Sequence, residues 1–537
     1  MRERAPGADA VEPPSIFNLN ALWCSLIADE LVRAGVADVV IAPGGRSAAM
    51  ALTLRAAPQL RTLFQIDERG AAFIALGIAR ATGRPVAVCT TSGSAVANMT
   101  PALVEADASG VPLVLIACDR PRRYHGNGAP QWTDHLGLCR SFVRSALDLE
   151  DPSDDQLALR SLRTRLAELL RRCTDPSDRG PVLLNVPLDG VLSSVEIDPS
   201  WCVPADVPQA TLAPASAVPL RQTAGAISAS VGLRPGLKGL IVATGDGGLE
   251  RDDVAAFASI TGYPVVADAA SNLRRPAIPN LVTTGDALVL DPRFTADPPE
   301  IVIRIGAAPV MHTLHAYLAA LRCPVLRIDA RPVPRDFLHD EFVLVQNPSG
   351  GLVRELAAAA SSGDRKWLTR WTAADATARA KAQRFLAGAA WGDCAAAAVV
   401  CAAEDFPVFH LSNSMAVRLG NLLCGPRASA QRIFANRGVN GIDGTIASFL
   451  GEAIGANGCG LLLIGDQAML HDLSSLAAVK PSGARGCICV INNGGGALFD
   501  LLGSTVPGFH ETVRDIPTGV DFGAASAAFG LPFRRVC

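Results

Sequence analysis

The stretch GLLLIGDQAMLHDL, residues 460–473, decides how this chain folds. Four apolar residues, Leu461 to Ile464, run directly into Gly465 and Asp466. Such a run, closed by glycine, reads as a strand buried on both faces, as in a parallel sheet. Ligands of open α/β sheets bind beyond the carboxyl ends of the strands. Asp466 therefore stands where a ligand would lie. Downstream, CICVINNGGG (487–496) reads as a second buried strand, ending in Asn492, Asn493 and three glycines. Asp466 and Asn493 are 27 residues apart. That is about one strand–helix–strand return, so the two strand ends can sit side by side. A carboxylate, an amide oxygen and a glycine carbonyl (Asp466, Asn493 and Gly495) form a hard-oxygen set. It suits Mg²⁺, or Mn²⁺, that also holds phosphates. The glycine turn lets backbone amides approach a diphosphate. A control lies in the same chain: ATGDGGLE (243–250) has the Gly-Asp-Gly but no Asn-Asn-Gly partner at that distance, and reads as an ordinary turn.

The same style of sequence occurs in three segments, 16–200, 215–365 and 385–537. Each sets short apolar strands (VADVVIAPGG, KGLIVATGDGG, FPVFHLSNS) before Ala-rich helical stretches. The expectation is an α/β chain of three doubly wound parallel-sheet domains. Residues 1–15 are expected to form a disordered arm. The Pro-rich 199–219 reads as the first linker, and 360–395 as a helical second linker.

Length and composition agree. A chain of 537 residues holds about three domains. At 49% hydrophobic residues it can build large cores. A net charge of −3 gives no basic surplus, which argues against nucleic acid as a partner. No apolar run is long enough to span a membrane. The polar start MRERAPGADAVEPPS lacks the apolar core of a signal peptide, so a cytoplasmic location is expected. The 14 Cys include no CxxC pair and are expected to be mostly small buried hydrophobes. Cys487 and Cys489 are expected to face opposite sides of their strand and to share no metal.

The paired strand ends resemble the Mg²⁺-diphosphate motif of thiamine diphosphate enzymes. LFQIDERGAAFIALGIARATGRPVAVCTTSGSAVANMTPAL (63–103) is similar to the pyrimidine-binding domain of those enzymes. IAPGGRSAAMALTL, DERGAAFIALGIA, TSGSAVANMTPALVEA, DRP, SNSMAVR, NRGVNGIDG and INNGGGALFDLL together resemble one family. It is the 2-succinyl-5-enolpyruvyl-6-hydroxy-3-cyclohexene-1-carboxylate (SEPHCHC) synthase family of menaquinone biosynthesis. The likeness runs from about residue 17 to the end and is weaker in the middle segment.

The resemblance implies pyrimidine-binding, central and diphosphate-binding domains. It implies decarboxylation of 2-oxoglutarate and conjugate addition of the succinyl carbanion to isochorismate. Glu68 would be the catalytic carboxylate on the aminopyrimidine. Ser92, Gly93, Ile442, Gly465, Asp466, Asn493 and Gly495 would hold the cofactor, the last three with their metal ligands. Arg46, Arg120, Gln131, Ser414, Arg418, Arg437, Leu498 and Phe499 would line the substrates. Arginine suits these dianions through its bidentate fork. A homodimer or homotetramer with sites at subunit interfaces is implied.

Three positions depart from the family pattern: Gly45 for Ser, Pro130 for Asn, and His312 for Lys. They bear on substrate contacts, and they leave a different thiamine diphosphate-dependent 2-oxo acid decarboxylase or carboligase, or an impaired homologue, as alternatives. A dinucleotide oxidoreductase lacks its GxGxxG. His312 and His315, three apart, read as surface or lining residues more than metal ligands. The chain stops at GLPFRRVC, where another strand and helix are expected.

Overall fold

The computed structural model describes residues 18–190 and 223–536, except 246, 331–337, 339–341, 457, 503–505 and 517–518. The expected arm at 1–15, the linker at 199–219 and Asp246 of the control triplet lie outside the described residues.

Among the described residues, sixteen strands form three sheets. The first holds β1 (Asp38–Ile41), β2 (Arg61–Phe64), β3 (Val86–Thr90), β4 (Leu113–Asp119), β5 (Ser145–Asp148) and β6 (Val182–Pro187), in the order β2-β1-β3-β4-β6-β5. The second holds β7 (Gly239–Thr244), β8 (Val265–Ala267), β9 (Leu281–Val282), β10 (Ile301–Gly306), β11 (Val325–Asp329) and β12 (Phe342–Gln346), in the order β12-β11-β10-β7-β8-β9. The third holds β13 (Val408–Leu411), β14 (Arg432–Phe434), β15 (Cys459–Gly465) and β16 (Arg485–Ile491), in the order β14-β13-β15-β16. The sheets are parallel, as the apolar runs implied. Central strands such as β3, β4 and β6 are buried along their whole length, because helices cover both faces.

The described chain forms two compact units. One holds the first sheet together with the described residues of 443–458 and 472–485. The other holds the second sheet and most of the third. In the first unit the helix Thr445–Gly455 packs along the helix Glu68–Thr82. Small residues allow this. A methyl group on Gly77 would overlap the carbonyl oxygen of Ser448, and one on Gly451 would overlap that of Ile74. Arg80 ties the pair with bonds of 3.2 Å to both Glu105 and Glu452, whose carboxylates are buried. The helix Thr445–Gly455 starts after Gly444, which has no capping side chain. Asp472 caps it instead, accepting the Ala447 N–H at 3.0 Å.

In the second unit the helix Arg365–Gly388 does more than connect. Trp367 and Trp371, one turn apart, are buried in the core against the second sheet. Trp371 meets Phe294 edge-on at 4.6 Å, and the Trp367 indole N–H donates to the Gly239 carbonyl at 2.8 Å. Among the described residues, no single helix is long and apolar enough to cross a membrane.

One expectation is overturned. Cys487 and Cys489 lie on the same face of β16, with their sulfurs 3.5 Å apart. Side chains two positions apart on a strand share a face, because the period is two.

Candidate functional site

In the first sheet the strand order reverses between β1 and β3, so the loops leaving these strands open a crevice. The loop after β1 carries Arg46, and the loop after β3 carries Ser92 and Gly93. Arg46 is half-buried and donates from Nη1 to the Leu188 carbonyl at 2.8 Å. Burial, reinforced by the neighbouring Arg120 cation, pulls its pKa below the usual value. Arg120 donates to the Pro130 carbonyl and, at 3.1 Å, to Gln131 Oε1. Gln131 sits at φ 60°, a left-handed conformation uncommon for a non-glycine residue.

Gly93 has φ 82°, and a Cβ there would crowd the Gln131 backbone. Its N–H donates to Nε2 of the buried His135 at 3.0 Å. Because Nε2 accepts, the network assigns the proton to Nδ1, which donates to Asn185 Oδ1 at 2.9 Å. The Asn185 amide donates in turn to Asp119 at 3.0 Å and Asp148 at 2.8 Å. Asp119 takes the Arg120 N–H at 2.7 Å. This buried hub ties the carboxyl ends of β3, β4, β5 and β6 together. Sequence reading missed His135. Its local signal was the preceding Asp134, which caps a short helix by accepting the Gly137 N–H at 2.8 Å. Ser92 is buried, and its hydroxyl finds no hydrogen-bond partner among the described residues.

Glu68 opens its helix just past β2. Asp67 caps that helix through the Arg69 N–H at 3.0 Å. Glu68 Oε2 accepts from the Asn98 amide at 3.1 Å.

In the third sheet the order reverses between β13 and β15. Gly465 ends β15, and Asp466 starts the following helix. Asp466 is buried; Oδ1 accepts the Gln467 N–H at 2.8 Å, and Oδ2 has no hydrogen-bond partner among the described residues. Asn493, beyond the adjacent β16, donates to Asp393 at 2.7 Å and leaves Oδ1 buried and equally unpartnered. Leaving buried acceptors unpaired is costly, and a cation between these strand ends would take both. Burial pushes the Asp466 carboxyl above its usual range, against the pull of the Gln467, Gly495 and Gly494 amides. Gly495 sits at φ 145°, and a side chain there would strike the Arg514 carbonyl. The described residues hold no group of three His, Cys, Asp or Glu that could bind a metal. One carboxylate with neutral oxygens is a different donor set, and it fits Mg²⁺.

The loop after β13 carries Ser414 at φ 65°. Its carbonyl accepts from Arg418 Nη1 at 2.6 Å, and burial pulls the Arg418 pKa down. Arg437 donates to Asn413 Oδ1 at 2.9 Å, and the Asn413 amide donates to the carbonyls of Asn436 and Gly441, both at 2.6 Å. Both arginines are thus tied to this loop. Ile442, Leu498 and Phe499 are half-buried, and Phe499 lies edge-on to Phe509 at 6.2 Å.

Residues 24–138 match the family model described as thiamine pyrophosphate enzyme, N-terminal TPP binding domain. The 2-succinyl-5-enolpyruvyl-6-hydroxy-3-cyclohexene-1-carboxylate synthase of Halobacterium salinarum is 34% identical, over 96% of this chain and 91% of that protein. Enzymes of the same name from Rubrobacter xylanophilus and Chloroflexus aurantiacus are each 33% identical, over 96% and 94% of this chain and 90% and 87% of theirs.

The chain belongs to the SEPHCHC synthase family.

It is a thiamine diphosphate-dependent transferase of that family. Within the family frame, the departures take on physical form. A Cβ at Gly45 would meet nothing within 4 Å, so packing does not demand glycine there. Pro130 lacks an amide side chain, and its carbonyl holds Arg120. His312 is exposed while His315 is buried, so the two do not present one ligand face.

Proposed function

We propose that this synthase decarboxylates 2-oxoglutarate and joins the resulting succinyl unit to isochorismate, releasing CO₂, with thiamine diphosphate and Mg²⁺ or Mn²⁺. The observation that carries the cofactor reading is the pair of buried oxygens, Asp466 Oδ2 and Asn493 Oδ1, that have no hydrogen-bond partner among the described residues and stand at neighbouring strand ends. Asp466, Asn493 and the Gly495 carbonyl would hold the metal, and Gly465 and Ile442 would border the cofactor. Ser92 and Gly93 would hold the aminopyrimidine end of the cofactor, and the Ser92 hydroxyl has no hydrogen-bond partner among the described residues.

Thiamine diphosphate, when bound, supplies the carbanion chemistry of decarboxylation and carbon–carbon bond formation. The protein's own part is electrostatic. Glu68 would accept a hydrogen bond from the aminopyrimidine and hold it in the reactive tautomer. Arg46, Arg120, Arg418 and Arg437 would bind the carboxylates of two dianionic substrates in a chain whose net charge is −3. Gln131 and Ser414 would add polar contacts, and Leu498 and Phe499 an apolar wall that excludes water.

The reading includes a homodimer or homotetramer with sites at subunit interfaces. Its support is the exposure of Phe64 (42%) and Ile66 (82%) beside Glu68, which a partner would cover.

The test is direct. The purified chain is incubated with thiamine diphosphate, Mg²⁺, 2-oxoglutarate and isochorismate; absorbance follows isochorismate, and mass spectrometry follows the adduct. Adduct formation is expected. Decarboxylation of 2-oxoglutarate without adduct would assign the chain to a different 2-oxo acid chemistry.

A further inference from the structure

Asp393 lies outside the proposed set of metal ligands, yet its carboxylate accepts a hydrogen bond from the Asn493 side-chain amide at 2.7 Å. The sequence explains how the two meet. Asp393 opens the helix Asp393–Ala402, which leads through a short loop into β13. A helix that feeds a parallel strand in this way runs antiparallel to it, so its N-terminus lies beside the carboxyl ends of the strands. Asp393, Ala397 and Cys401 follow at four-residue spacing and share one face of that helix. Ala397 and Cys401 are buried in one core with Phe409 and Leu411 of β13 and Leu461 and Leu463 of β15. The same face therefore carries Asp393 to the end of the sheet where Asn493 stands.

We propose that Asp393 is a positioning residue for the metal: it fixes the Asn493 amide with Oδ1 turned toward the cation and Nδ2 turned away. The inference rests on the cofactor reading given above.

A side-chain amide can present either end, and only its oxygen ligates a hard cation. A carboxylate only accepts, so the amide end that meets Asp393 is the NH₂. The other end is then the oxygen. That oxygen is buried and has no hydrogen-bond partner among the described residues, as is true of Asp466 Oδ2. The amides of Gly494 and Gly495, the next residues after Asn493, act on the Asp466 carboxyl, so both proposed ligands border one loop. Hydrogen bonds to a carboxylate are shorter and stronger than neutral ones. Groups that hold a ligand from behind in this way set its orientation and raise its basicity. Without Asp393 the amide could turn and aim its NH₂ at the cation.

An acid in the first turn also suits the helix dipole. That role alone would change the stability of the cofactor-free protein and leave its metal affinity as it was, so the two roles separate experimentally.

The test uses the full chain. Mg²⁺ is titrated by calorimetry into protein holding excess thiamine diphosphate, and melts of the cofactor-free protein run in parallel. Asp393→Ala should raise the apparent Kd for Mg²⁺ by about 10- to 100-fold. Asp393→Asn keeps an acceptor and should recover most of that loss. Asn493→Asp offers two equivalent oxygens and has no amide to orient. In that background Asp393→Ala should not weaken binding, because it removes only a facing like charge. Unchanged Mg²⁺ affinity in Asp393→Ala, an equal loss in Asp393→Asn, or the same loss in the Asn493→Asp background would each overturn the proposal. A parent chain that takes no Mg²⁺ with thiamine diphosphate would overturn the cofactor reading and this inference with it. A parent that binds while Asp393→Ala binds equally well overturns this inference alone.

Discussion

The carboxylate of Glu68 accepts a hydrogen bond from the side-chain amide of Asn98, 3.1 Å away. In the proposed reading, this side chain at the start of a helix, steadied by one neutral donor, would offer a carboxylate oxygen to the cofactor. Glu68→Gln preserves shape but removes the charge that would hold the aminopyrimidine. The expected outcome is a fall in kcat of about 10²- to 10⁴-fold, with cofactor affinity nearly unchanged. Steady-state kinetics paired with calorimetry checks it. A near-normal rate would remove the activating role.

Asp466→Ala removes one of the two unpartnered oxygens at the third sheet. Metal-dependent thiamine diphosphate binding should vanish in titration calorimetry. The melting temperature of the cofactor-free protein should hold steady or rise, because a buried carboxylate that backbone amides compensate only in part is gone. The gain in melting temperature on adding cofactor and Mg²⁺ should disappear. Unchanged affinity would place the metal elsewhere.

His135 separates two roles that a truncation alone would confuse. His135→Leu removes the partner of the Gly93 N–H and of Asn185 Oδ1 and should lower stability by about 1–3 kcal/mol. His135→Gln can accept through Oε1 and donate through its amide, so it should restore most of the loss. Thermal melts and cofactor titration of both variants decide the matter. Equal damage from both substitutions would mean that ring packing, not the hydrogen-bond hub, is what matters.

Burial pushes the Asp472 carboxyl up to about 6, against the pull of the Ala447 N–H and Ser475. A carboxyl whose folded pKa is raised favours folding when protonated. Its contribution is full below the unfolded value near 3.8 and is lost as pH rises through about 6. Asp472→Asn has no such titration. The variant's stability relative to the parent should therefore grow between pH 4 and 7, by on the order of 2 kcal/mol. Melts across that range measure it; a constant difference would refute the assignment.

The parallel sheets and the adjacency of β15 and β16 were legible because strands leave continuous apolar runs and their ends are marked by Gly, Asp and Asn; β15 is buried as read, whereas β16, read as a second buried strand, is exposed or half-buried along its length. Glu68, Gly93 and the arginines were read from motif positions, and their roles belong to the proposal. His135 was not, because its partners Gly93 and Asn185 lie 42 and 50 residues away, and no local pattern encodes a bond between strand ends. The pair at 487 and 489 was misjudged through strand periodicity, although the sequence carried the correct answer. The packing role of the helix Arg365–Gly388 was marked by Trp367 and Trp371, four apart, within a stretch whose charged and Ala-rich composition suggested a connector.

The packing of Gly77 against Ser448, and of Gly451 against Ile74, has a consequence for synthesis. Arg80 and Glu452 are 372 residues apart in the chain. At roughly 5–20 residues per second, the ribosome delivers the second helix about 20–75 s after the first. Throughout that interval the apolar flank of the nascent first unit waits uncovered. The first unit is thus begun long before it can be completed, and its maturation in the cell should depend on chaperones that shield that flank until the distant helix arrives.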